Sequence, residues 1–143
     1  MKTDTIKLLL ECNSGIKLGE NAIKQLLPHA KSDEMRRTLE IGKSSHQALS
    51  DETRALLKSY GRTAEDIHPV AQALSGMKIC TTMMAKESDQ SIASIMTDGC
   101  NMGIKSLSKY LNKYKKADED AKSIAKRLIA SEQFIENKMR DFL

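Results

Sequence analysis

Apolar side chains recur every three or four positions along almost the whole chain, the period of helices that bury one face. The pattern is cleanest between Asp33 and Tyr60, where Met35, Leu39, Gly42, His46, Leu49, Thr53, Leu56 and Tyr60 form one stripe. It predicts a long helix with His46 turned inward near its middle. Upstream, Ile6, Leu9, Asn13, Ile16, Glu20, Ile23, Leu27 and Ala30 form another stripe. Beside it runs a row of Leu8, Cys12, Gly15, Gly19, Ala22 and Leu26. Its small members admit a neighbouring backbone, including a partner's helix, at about 1 kcal/mol of helix propensity per glycine. Downstream, Ile92, Met96, Gly99, Gly103, Leu107, Tyr110 and Tyr114 mark a third long helix, in which the two glycines mean close helix contact or a slot for something bulky opposite. Ala121, Ala125, Leu128, Glu132, Ile135, Met139 and Phe142 mark a fourth.

Local signals punctuate these stripes. Thr3 or Asp4 can cap the first helix, and Pro28 weakens its last turn. Ser32 caps the second, with Asp33 and Glu34 where the helix dipole favours acids, and Gly61 stops it. Arg62 to His68 is a polar connector, and Pro69 opens a shorter helix to about Lys86 with Val70, Leu74, Met77, Thr81 and Met84 on one face. Ser88 or Asp89 starts the third long helix, and Lys115 to Asp118 form a tight turn before the last. Residues 3–60 and 88–143 are thus each a pair of long helices joined by a short turn, which makes each pair antiparallel. A helix of this length is about 40 Å long, and residues 61–87 can return along it. The expected fold is all-α, one domain over residues 1–143: a four-helix bundle of two antiparallel helical hairpins, with a long crossover containing a short fifth helix.

Composition agrees with helices. Aromatics are 3% of 143 residues, Trp is absent and Met numbers 8, so Leu, Ile, Ala and Met must build the core. The 23 basic and 19 acidic residues are intermixed, leaving a net charge of +4. No basic stripe interleaved with aromatics marks a nucleic-acid binder. No apolar run is long enough for a membrane span, and Glu11 interrupts the short one near the N-terminus, so no signal peptide is expected. Cys12, Cys80 and Cys100 are odd in number and widely spaced, which reads as buried, reduced thiols of a cytoplasmic protein.

Candidate chemistry comes from level counting. Helices rise about 1.5 Å per residue, so positions counted outward from each turn can be aligned. His46 comes level with about residue 17, between Asn13 and Glu20. Cys100 or Met102 aligns with His46, and Glu132 with Cys100. The bundle's middle then holds His46, Glu132 and Cys100, with Glu20 and Asn13 within a turn. A buried carboxylate costs several kcal/mol unless it finds a partner, a proton or a metal. Imidazole, carboxylate and thiolate are donors for zinc or iron, which makes His46, Glu132, Glu20 and Cys100 the candidate ligands. The plainer alternative bonds His46 to Glu20 or Asn13 and pairs Glu132 with a basic residue. The literal Glu65-x-x-His68 is set aside because Pro69 disfavours helical geometry at His68. Phosphotransfer would need an exposed histidine, which His46 is not expected to be.

Several segments carry a family resemblance: GIKLGENAI in the first helix, SSHQALSDE in the second, MTDGCNMGIKSLSKYL in the third long helix and EQFIENKMRDFL at the end. Together with the crossover, they resemble the ferritin-like superfamily, specifically small bacterial four-helix proteins of unknown function related to rubrerythrin and the YciF-type stress proteins. The resemblance implies a four-helix bundle, often dimeric, with a di-iron site in the metal-binding members. His46 matches a family ligand position, whereas Lys43, Cys100 and Glu136 stand where the family's motif has other residues. The implied protein is a non-catalytic structural or interaction bundle, a homodimer through helix faces, that has lost the di-iron site. The alternative is a mononuclear zinc or iron bundle with a storage or weak redox role.

Overall fold

Each long stripe folds as one helix. The computed structural model describes residues 2–63 and 87–143, and within them every regular element is helical. Helix α1 spans Lys2–Leu26, α2 Asp33–Ser59, α3 Asp89–Lys113 and α4 Glu119–Met139, with 3₁₀ turns at Leu27–His29 and Arg140–Phe142. The short helix expected after Pro69, the Glu65/His68 pair, Cys80 and Met77 and Met84 fall outside the described residues.

The punctuation works by satisfying backbone donors that a helix start leaves free. Ser32 Oγ accepts from the Met35 N–H at 3.1 Å, Ser88 Oγ from Ser91 at 3.1 Å and Asp118 Oδ1 from Ala121 at 3.0 Å. Gly61, at φ +71°, supplies the left-handed residue that ends α2. The N-terminus departs from expectation: α1 already begins at Lys2, ahead of the Thr3 or Asp4 cap. The Asp4 carboxylate instead accepts from the Lys116 N–H at 3.2 Å, tying α1 to the turn before α4.

The bundle's two ends define its connectivity. At one end the Lys31 and Ser32 N–H groups donate to the Asp89 carboxylate at 2.7 and 3.0 Å, so α2 and α3 start together. At the other, the Tyr60 hydroxyl donates to Asp118 at 2.5 Å, and the Asp118 N–H donates to Thr5 Oγ1 at 2.9 Å. There the end of α2 meets the starts of α1 and α4. Helices α2 and α3 therefore run parallel. The helices pack in the order α3, α4, α2, α1, while α1 and α3 meet less closely.

The apolar core is split in two. One cluster holds Ile23, Leu26, Met35, Leu39, Ile92 and Met139, and the other Leu8, Leu9, Ile16, Leu57, Ile124 and Leu128. Burying each such side chain contributes roughly 1.5–3 kcal/mol. His46 and Glu132, both buried, occupy the level between them.

Candidate functional site

The middle level is built by two glycines. A Cβ on Gly19 would stand 2.5 Å from His46 Nε2, and one on Gly103 would run into the Glu132 carboxyl. Each glycine leaves the hollow that a polar side chain from the facing helix fills. Gly15 similarly faces Leu128. Gly15, Gly19 and Gly103 thus serve contacts within the bundle.

His46 is fixed from its own helix. Its Nδ1 lies 2.8 Å from the Gly42 carbonyl, which can only accept, so Nδ1 carries the proton and the neutral ring keeps its lone pair on Nε2. This replaces the expected bond to Glu20 or Asn13. A histidine four residues along a helix reaches its own backbone without any second helix having to fit. Burial lowers the His46 pKa, opposed in part by the Gly42 bond and the charge of half-buried Glu20.

Glu132 is only 6% exposed, and its Oε2 has no hydrogen-bond partner. No basic residue pairs with it among the described residues, contrary to the plainer sequence reading. Burial alone pushes its pKa up to about 8. At neutral pH it is predominantly the neutral acid, with an O–H to donate. Cys100 lies close enough to Glu132 and Glu136 for their charges to add to burial in raising its thiol pKa. Cys12, buried among leucines, is raised to about 12, chiefly by burial with a smaller push from Glu11. Neither thiol is a thiolate at neutral pH.

Because α1 and α3 stand apart, a cavity of about 280 Å³ opens between them at this level. His46, Glu132 and Cys100 line it together, with Leu18, Ala22, Ile23, Ile95, Met96 and Ile135 as its apolar wall. Gly99 faces open space there, so of the two glycines on α3 it is Gly103 that holds something bulky. Glu11, Asp98 and Tyr110 also line it, and Glu11 lies close enough to Tyr110 to add to burial in raising the phenol's pKa. Glu20 is not among the lining residues.

A carboxylate-bridged di-metal centre takes one Glu from each of two helices and Glu-x-x-His from each of the others. Here Lys43, three residues before His46, is exposed, and Ile135 packs toward Gly42. Among the described residues no three of His, Cys, Asp and Glu converge closely enough to hold an ion. The residues present do not fit that centre.

Comparison with known proteins returned no matching family model, no matching curated protein and no matching solved structure.

The cavity, Gly103 as the seat of Glu132 and the Glu11–Tyr110 contact were not foreseen from sequence. The paired glycines on α1 and α3 were the available signal, since Gly15, Gly19, Gly99 and Gly103 all lie along this one gap.

Proposed function

We propose that this chain is a non-catalytic binding bundle that takes a small, largely apolar molecule into the gap between α1 and α3. The observation that carries this reading is the 280 Å³ cavity with a buried, unpartnered carboxyl in its wall. A cavity of 150 Å³ accepts benzene, so this one has room for roughly ten non-hydrogen atoms. Pockets of this kind bind through apolar walls, with a few polar groups setting orientation. Here the Glu132 O–H can donate and His46 Nε2 can accept. In this reading the protein is a ferritin-like relative whose metal layer has become a ligand site. The parallel run of α2 and α3 supports the ferritin-like arrangement. The protein is read as cytoplasmic and homodimeric, the second copy meeting the α2/α4 face that exposes Ile41 and Phe134.

One observation favours a second reading. The backbone carbonyl that holds His46 Nδ1–H is the kind of outer contact that orients a metal-binding imidazole. Zinc or iron would then be held by His46 with Glu20 and Glu132 after those side chains move together.

Calorimetric titration with phenethyl alcohol tests the proposal. Saturable binding to the wild-type protein is expected, lost in Gly99→Leu, which fills the open space at that position. Absence of saturable heat with any small aromatic probe overturns it. Stoichiometric zinc or iron on protein purified without chelator, lost in His46→Ala, replaces it with the metal reading.

A further inference from the structure

Resting on that binding reading, we infer that the cavity selects organic cations: a protonated amine on a compact apolar body, its ammonium group directed to Glu132. Among the described residues, the acidic side chains Glu11, Asp98 and Glu132 line it and neither lysine nor arginine does, in a chain with 23 basic residues and a net charge of +4. Two polar side chains of the lining are suited to accept from an ammonium. Glu132 Oε2 is buried without a partner, and His46 presents Nε2 as an acceptor because Nδ1 is committed to Gly42. The Tyr110 ring and the Met96 thioether add polarizable surface of a kind that favours cations over anions.

The energetic balance favours this ligand for a specific reason. Buried ion pairs often gain little because both charges must leave water. Here only one charge has to leave water: folding has already buried the Glu132 carboxyl as the neutral acid, with Oε2 unpartnered, and an ammonium can donate a charge-assisted bond to its carbonyl oxygen. Only the amine's dehydration is added on binding. That addition is incomplete where exposed Asp98 and half-buried Glu11 line the space. An alcohol of the same shape gains one neutral hydrogen bond, whereas an ammonium gains charge-assisted ones. The difference between the two bond classes is worth about tenfold in affinity.

Titration calorimetry with phenethylamine, phenethyl alcohol and phenylacetate, at one neutral pH and low salt, tests the inference. The amine is expected to bind wild-type protein about tenfold more tightly than the alcohol, with phenylacetate weakest. In Glu132→Gln the amine should fall to near parity with the alcohol, while alcohol binding persists and shows that the cavity is intact. Equal wild-type affinities for amine and alcohol, or a preference for phenylacetate, overturn the inference and leave the binding reading standing. An amine preference unchanged in Glu132→Gln also overturns it. No binding of any of the three overturns both.

Discussion

Glu132 makes the fold less stable as the solution becomes more alkaline, and Glu132→Gln should abolish that dependence. The carboxyl moves from an ordinary 4.5 to about 8 on folding. Between those values the folded state holds a proton that the unfolded chain has lost, so raising the pH favours unfolding. The slope is about 1.4 kcal/mol per pH unit, and the whole window amounts to about 5 kcal/mol. His46 acts in the opposite sense. Its pKa is lowered below 6.5, so its contribution is present above that value and is lost on acidification. Above pH 6.5 the Glu132 effect therefore stands alone of the two and is worth about 2 kcal/mol up to pH 8. Cys12 and Cys100 are raised well out of this range. Urea unfolding followed by far-ultraviolet circular dichroism, at steps from about pH 6.5 to about pH 8.5, measures the difference between the two proteins. Wild type should lose about 2 kcal/mol across the window relative to Glu132→Gln. A difference that stays constant with pH would refute the reasoning, because it would mean that the buried carboxyl titrates normally.

Other expectations follow from the same geometry. Gly99→Ala should stabilise the protein by about 0.5–1 kcal/mol in thermal or urea unfolding, because its Cβ meets open space in the middle of a helix. Gly19→Ala should instead cost about 1–3 kcal/mol, because its Cβ meets the His46 ring, which the Gly42 bond holds in place. Asp89→Ala should cost roughly 1.5–3 kcal/mol by removing the acceptor for two backbone N–H groups where α2 and α3 start. Burial pushes the Asp89 pKa up, but the bonds from Lys31 and Ser32 outweigh it and the net pKa is lowered. Its contribution is thus present above about pH 3.8 and lost on acidification, as urea unfolding in acid would show. In a Cys80→Ser background, a thiol-specific disulfide reagent should modify native Cys12 and Cys100 at least about a hundredfold more slowly than the urea-unfolded chain, as burial and protonation both predict.

The sequence by itself determined the four helices, because the three-and-four spacing of Leu, Ile and Met leaves each segment one way to bury its apolar face. It determined the caps at Ser32 and Ser88 and the stop at Gly61, since these depend on contacts within a few residues. It also brought His46 and Glu132 to one level, because helical rise is the same for every sequence. Rise fixes height along a bundle but not rotation or lateral spacing. Tertiary packing therefore decided which residue each polar side chain meets: Glu132 lies against Gly103, one turn from the Cys100 expected from counting, and His46 against Gly19. Packing also decided that Glu132 Oε2 has no partner among the described residues and that α1 and α3 stand apart, and the cavity follows from that separation. A glycine in a sequence records only that a side chain is absent; what occupies the vacated volume is set by the helix that packs across from it.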